Sequence, residues 1–480
     1  MSKSLFARKP VSEILKESDS KNHSFKRTLT AMNLVLLGVG GVIGAGIFVL
    51  TGQAAANYAG PGIVYSFMIS GVACVFAGLC YAEFASMIPI AGSAYTYAYA
   101  TMGQIVAWII GWDLILEYLF GASTVAVGWS GYLISFLKDR GLDFPMALAS
   151  SPLIFHHDTG WSQSGAIVNL PAVLIIILMT YLLYRGTKES AKFNNIIVSI
   201  KVAVLCMFII FGSQYIIPEN WVPFVPENTG NFGSFGWSGV FRGAGVIFFA
   251  YIGFDALSTL AQEAKDPQRD MPIGIIGALL VCTLFYIAVS LVLTGIVKYT
   301  ELGVADPMAV AVNAAGEGLM WLRPIIKLGA IMGLSSVVLS LLMAQPRILY
   351  TMAHDGLLPP IFAKMHPIYG TPSATTIASG ILAAVIAGVF PIGILGELVS
   401  IGTLFAFAIV CVGVLILRYK EPDFPRPFKV PYPHFVCTIG ALSALLQMLS
   451  LPPDTWIRLF VWMGLGLVIY FGYGRKHSLR

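Results

Sequence analysis

Twelve long apolar runs decide what this 480-residue chain can fold into. A bilayer core of roughly 30 Å is crossed by about 20 apolar residues in a helix. The runs cover about 31–58, 61–88, 103–137, 168–184, 193–216, 238–262, 272–297, 319–349, 373–391, 394–418, 432–451 and 455–474. Glycines and prolines inside them are tolerated, because neighbouring helices re-satisfy freed backbone groups. The third run is long enough to need a strong tilt or to project past the bilayer. Composition agrees: 57% of the residues are apolar, 11% are charged, and mean hydropathy is +0.79. So few charges cannot solvate a soluble surface. A soluble multidomain enzyme, a disordered chain and a secreted disulfide scaffold are all excluded. The expected fold is an all-α polytopic membrane protein with twelve transmembrane helices.

Lysine and arginine orient those helices. With the N-terminus inside, 21 of the 29 fall in cytoplasmic segments and seven on the other side or at helix ends; Lys201 alone lies inside a span. Both termini are therefore expected in the cytoplasm, and the loop 138–167, with His156, His157 and Trp161, outside. Residues 1–30 carry seven Lys and Arg against three acids and no apolar stretch. They read as a cytoplasmic tail with a short interfacial helix near Val11–Lys16, not as a signal peptide. The six cysteines lie within or beside apolar runs without metal-ligand spacing, and are expected as buried free thiols. All seven histidines fall in tails, loops or helix ends, which argues against a histidine relay in mid-membrane. No basic stripe suggests a nucleic-acid partner.

Two runs are rich in glycine at matching positions. The first carries Gly38, Gly40, Gly41, Gly44 and Gly46; the sixth carries Gly243, Gly245 and Gly253. Runs one to five (31–216) and six to ten (238–418) are of similar length, and five crossings is an odd number, so the second set is inverted; runs eleven and twelve (432–474) follow. Interrupted helices at matching places in inverted halves point to a transporter binding site. A helix broken in mid-membrane leaves unpaired N–H groups on one half and unpaired C=O groups on the other. A zwitterionic amino acid needs both. The N–H groups of Gly44, Ala45 and Gly46 suit its carboxylate, helped by the positive end of the following half-helix. The carbonyls around Phe249, Ala250 and Ile252 suit its ammonium. Close helix packing is the plainer explanation of the same glycines.

These stretches also resemble a known family. V-I-G-A-G-I-F from Val42 and F-F-A-Y-I-G-F-D ending at Asp255 resemble the substrate motifs of the amino acid–polyamine–organocation superfamily. Y-A-E-F-A-S-M-I-P-I-A-G-S-A-Y-T-Y from Tyr81 and E-A-K-D-P-Q-R-D-M-P from Glu263 resemble two more of its signatures. The resemblance covers about residues 26–475 and is strongest to bacterial relatives of the cationic amino acid transporters. It implies a LeuT-like five-plus-five inverted repeat with two extra helices, alternating access, and sodium-independent, often proton-coupled transport of L-amino acids. It also implies a role for Lys201: its ammonium, standing where related transporters bind sodium, bridges the first break near Gly41–Ile43 to Ser335 and Ser336 on the eighth span.

Lys201 follows Lys192 by nine residues, about 13 Å along a helix at 1.5 Å per residue. That depth costs a charge at least ~2.5–3.5 kcal/mol. The alternatives to a coupling role are a permanent structural pin, or a side chain that snorkels toward the cytoplasm past Asn194 and Asn195. Asp113 and Glu117 share a face of the third span. Glu117 is a candidate proton carrier, or a buried acid satisfied by serine, tryptophan or water. Asp255 either takes part in coupling or tethers the broken sixth helix. Glu83 is expected to anchor a loop at a cytoplasmic helix end, and Glu397 to lie near the outer surface. Ile43, Tyr251, Phe254 and Met332 are candidate pocket residues, although aromatics on apolar helices usually only pack.

A cationic substrate side chain would need a desolvated acceptor, which the pocket motifs do not supply apart from Glu117 or Asp255. Small neutral amino acids such as L-alanine are therefore favoured, with cationic substrates or exchange as the alternative. No nucleophile–base set, HExxH or Walker loop lies in the spans, so an enzyme is disfavoured. A channel is the remaining class. No cofactor, metal or sodium site is expected, with the proton as coupling ion. The expected partners are the amino acid and membrane lipids; the expected state is a monomer, with room for a small accessory membrane subunit.

Overall fold

The computed structural model describes residues 6–11, 14, 29–88, 93–156, 160–185, 190–366 and 371–479, and no side chains for 156, 190–195 and 262–263. The interfacial helix expected near Val11–Lys16 falls mostly outside the described residues; Val11 and Ile14 themselves are buried. His157 and residues 89–92 of the Tyr81 motif lie outside them too.

The chain is mainly helical. In order, the helices are α1 (Ala31–Val42), α2 (46–59), α3 (Ile63–Met87), α4 (Ser93–Thr101), α5 (Gln104–Asp139), α6 (Leu170–Arg185), α7 (Ser190–Gly212) and α8 (Gly236–Ile247). A 3-10 helix follows at Asp255–Glu263, then α9 (Pro267–Ile296), α10 (Pro307–Ala314), α11 (Leu322–His354), α12 (Ser373–Val389), α13 (Ile392–Lys420), α14 (Pro433–Ser450) and α15 (Pro453–Ile469). Among the described residues, nine helical segments are long and apolar enough to cross a membrane; α1, α6 and α12 are apolar but shorter. This is a polytopic membrane protein.

Local chemistry sets many helix starts. Proline stands at the first turn of α9, α10, α14 and α15, where its missing N–H has no intrahelical partner to lose. Thr30 caps α1, its hydroxyl accepting from the Asn33 N–H at 3.4 Å. The first run, continuous in the sequence, is divided at Ile43–Ala45. The stretch between the second and third runs forms the buried helix α4. The loop 138–167 contains a two-stranded antiparallel hairpin, Leu153–His156 with Gly160–Gln163.

The longest helices, α5 and α11, pack along each other, and α3 and α1 pack on α9. Residues 6–9 and 477–479 lie at the same end of the bundle. There Ala7 O accepts from Gln104 N at the start of α5, and Leu479 N donates to Asp355 O beyond the end of α11. Lys9 also pairs with Asp355 at 3.0 Å. The six cysteines are free, five of them buried; Cys80 and Cys437 bring their sulfurs to 3.5 Å. Glu83, at the end of α3, accepts from Arg418 and from the Val430 N–H (2.7 Å), so it joins α3 to α13 and the loop after it. Glu397 accepts from the Thr455 hydroxyl at 3.0 Å and from Arg458 at 3.4 Å.

Candidate functional site

The first broken helix loses its ladder at Val42. Ile43 is extended (φ −70°, ψ 100°), and helix resumes at Gly46, with Ile47 N and Phe48 N both donating to Gly44 O at 3.2 Å. The N–H groups of Gly44, Ala45 and Gly46 therefore open a helix, where no preceding turn can accept from them. The restarted helix is wide, with π-type turns over Gly46–Leu50. The sixth run breaks in a similar way. After α8 come a tight turn, Phe248–Tyr251, an extended Ile252 (φ −62°, ψ 137°) and Gly253 at φ +114°. That φ suits glycine alone.

The two breaks face each other. A Cβ on Gly253 would stand 2.9 Å from Gly41 O, and one on Gly46 would run into the Ala250 backbone. Tyr286, deep in α9, joins them: its hydroxyl lies 2.5 Å from Ala250 O and 3.1 Å from Val42 O. Beside this junction is a small cavity. Gly41, Val42, Gly44, Ala45 and Gly46 wall it on one side, Phe249 and Ile252 on another. Val125 of α5 and Val337 and Leu341 of α11 complete it. Every side chain in the wall is apolar, and its polarity comes from the backbone.

Five of the expected binding residues line this cavity: Gly44, Ala45, Gly46, Phe249 and Ile252. Ala250 packs behind Gly46 and has its carbonyl held by Tyr286. Tyr251 turns away, donating to Phe67 O at 2.9 Å and packing edge-on against Tyr286. Phe254 sits among Tyr81 and Phe407. Met332 is only half-buried and is not in the wall; Val337 and Leu341, one and two turns further along α11, form that side. A longer apolar side chain near Ser335 is a reasonable sequence guess, but helix rotation decides which residues face inward.

Lys201 is fully buried, and its ammonium donates to Gly40 O, to Ile43 O at 2.8 Å and to Ser336 Oγ at 3.4 Å. It does not extend toward the termini-bearing end. The carbonyls it holds belong to the last turn of α1 and to the break, so it fixes the first half-helix to α7 and α11. Ser335 is not a partner; its hydroxyl accepts from Trp129 Nε1 at 2.9 Å. Asp255 accepts from the Tyr118 hydroxyl at 2.7 Å and from Gly253 N at 3.2 Å, which tethers the sixth-helix break to α5. Asp113 and Glu117 are fully buried, and their carboxyl oxygens have no hydrogen-bond partner among the described residues. The neighbouring indoles do not satisfy them, since Trp108 and Trp112 donate to the carbonyls of Gly466 and Trp462. The groups that sequence reasoning passed over are Tyr286, Val125, Val337 and Leu341. Only Tyr286 carried a signal, a hydroxyl inside an apolar run.

The comparisons agree with this architecture. The profile of the amino acid permease family matches residues 29–471. The chain is 48% identical to a methylthioribose transporter of Bacillus subtilis (strain 168) over 476 residues, 99% of each chain. It is 44% identical to the branched-chain amino acid permease BcaP of the same organism over 479 residues, covering 100% of this chain and 99% of that one. It is 40% identical over 422 residues to cationic amino acid transporter 4, vacuolar, of Arabidopsis thaliana, covering 88% of this chain and 68% of that one. This is a transporter fold, and the chain belongs to the amino acid permease family.

Proposed function

We propose that this protein is a secondary active transporter that takes up small neutral L-amino acids, such as L-alanine, by proton symport and alternating access. The observation that carries the substrate class is the cavity wall: backbone donors and acceptors at the two breaks, and only apolar side chains. The carboxylate is read at the N–H groups of Gly44, Ala45 and Gly46, and the ammonium at the carbonyls of Phe249 and Ile252. Val125, Val337 and Leu341 then meet the substrate side chain. A guanidinium or second ammonium would find no acceptor there, since Asp255 is already engaged by Tyr118 and Gly253.

The coupling groups in this reading are Lys201, Ser336, Glu117 and Asp255, with Ser335 acting through Trp129. Lys201 supplies the positive charge at the first break, so no sodium is required. The helices supply twelve crossings when α1 with α2, and α8 with Asp255–Glu263, each count as one broken span. The first five and the next five form an inverted repeat, both termini are cytoplasmic, and the protein works as a monomer in the plasma membrane. Methylthioribose is the second reading, because a relative of nearly full coverage transports it and its hydroxyls suit the same backbone groups.

The test is labelled uptake into proteoliposomes with an inward proton gradient and no sodium, offering alanine, leucine, arginine and methylthioribose. Alanine or leucine accumulation abolished by a protonophore supports the proposal. Uptake of arginine or methylthioribose alone replaces the substrate class, and uptake insensitive to the protonophore removes the coupling.

A further inference from the structure

Six buried polar atoms without a hydrogen-bond partner among the described residues gather between the second break and the termini-bearing end. They are both carboxyl oxygens of Asp113 and of Glu117, and the hydroxyls of Tyr81 and Tyr97. None of the four residues is more than 1% exposed. Asp113 and Glu117 lie one turn apart on the same face of α5, about 6 Å along its axis, with Asp113 nearer the termini. Glu117 is within electrostatic reach of Asp255 and of Asp113. The Tyr81 hydroxyl, from α3, is within reach of Glu117, Asp255 and Tyr97. Neighbouring hydroxyls are committed to carbonyls: Thr403, beside Glu117, donates to Val399 O at 3.0 Å, and Ser258, beside Tyr97, to Asp255 O at 2.6 Å.

The three acids divide by their partners. Asp255 accepts from the Tyr118 hydroxyl and from Gly253 N, donors that suit a carboxylate. Asp113 and Glu117 meet no such donor among the described residues. A desolvated carboxylate without donor or cation is costly, so each of them suits the protonated acid. A carboxylic acid still has a proton to place and lone pairs to fill, and enclosed water serves buried polar groups in that position. Gly402 of α13 leaves room for the carboxyl, since a Cβ there would stand 2.8 Å from Asp113 Oδ1. The two unpartnered tyrosine hydroxyls can both donate and accept, as a proton relay requires.

We propose that Asp113 is a second proton site in series with Glu117, and that the coupling proton leaves the second break through this pair toward the termini-bearing end. This rests on the reading of Glu117 and Asp255 as coupling groups and adds the step that follows them. Asp113 first gives its proton to water on the termini side. The O–H bond of Glu117 then breaks as one forms on Asp113, through water or the Tyr81 hydroxyl. Glu117, now the anion, takes the next proton delivered at the break. One proton enters and one leaves in each cycle.

The test has two readouts. The first is the infrared band of protonated carboxyl groups in the purified, substrate-free protein. Asp113→Asn and Glu117→Gln are each expected to remove part of that band. The second compares proton-driven uptake of alanine or leucine with counterflow, which exchanges substrate without net proton release. Asp113→Asn is expected to lower uptake about tenfold or more and counterflow far less. Asp113→Glu, which restores a carboxyl, recovers uptake. An unchanged band in Asp113→Asn overturns the proposal. So does an equal fall of uptake and counterflow, which makes Asp113 a packing residue. If Asp113→Asn does not fold, Asp113→Leu, of the same branched shape, decides both readouts. Failure of the coupling reading is distinct: parent uptake then ignores a protonophore whatever the infrared band does, and the proton route falls with it.

Discussion

Among the described residues two lysines are fully buried, and their surroundings are opposite. Lys201, beside the first break, is held by two backbone carbonyls and a serine hydroxyl, with no carboxylate bonded to it among the described residues. Lys327, near the far end, is held by two carboxylates and a carbonyl. Neutral acceptors accommodate an ammonium or an amine, since both have protons to donate. Two facing carboxylates accommodate only the cation, because its loss leaves like charges together. The first arrangement suits a group that changes state during a cycle, and the second a group that holds one geometry.

The sharpest way to break this comparison is Lys201→Ala. In the proposed cycle it removes the coupling charge, and proton-driven uptake in proteoliposomes falls by about 100-fold or more, the equivalent of ~3 kcal/mol. Wild-type accumulation in that variant would make Lys201 a mere filler of space. Gly46→Val comes next. The added side chain drives into Ala250 and across the proposed carboxylate site, so substrate no longer raises the melting temperature of the purified protein. Retained stabilisation in a folded Gly46→Val protein would move the carboxylate elsewhere.

Stability separates the two lysines. Lys327→Met leaves Asp306 without its paired cation and Asp139 with Arg323 alone, and is expected to cost ~1–3 kcal/mol. That is below the ~3–5 kcal/mol of a fully buried pair, because the Asp139 side chain is 21% exposed. Lys201→Met leaves only neutral acceptors unpaired and costs less. The reverse order in thermal unfolding would undo the comparison.

The sequence carried the membrane class, the helix-bearing runs, the two glycine-rich breaks and the exceptional position of Lys201. Those properties are local. Twenty apolar residues need a bilayer wherever they sit, and a lysine in such a run must find a partner. The ranges of α6, α9 and α13 follow their apolar runs within a few residues for that reason. Backbone that cannot be helical also announces itself, as Gly253 does, through the residue that permits it.

Which groups meet across the breaks was a tertiary matter. Lys201 reaches Gly40 across 161 positions, and Asp255 meets Tyr118 across 137. The apolar repeat of α11 does not say whether Met332 or Val337 faces the cavity, because a buried helix is apolar all round and only packing fixes its rotation. Lys327 shows the same limit. In sequence it is one more basic residue near a helix end; in the structure, the approach of α5, α10 and α11 makes it fully buried between two carboxylates. Hydropathy is written residue by residue, whereas charge pairing and cavity shape exist only once distant helices have docked.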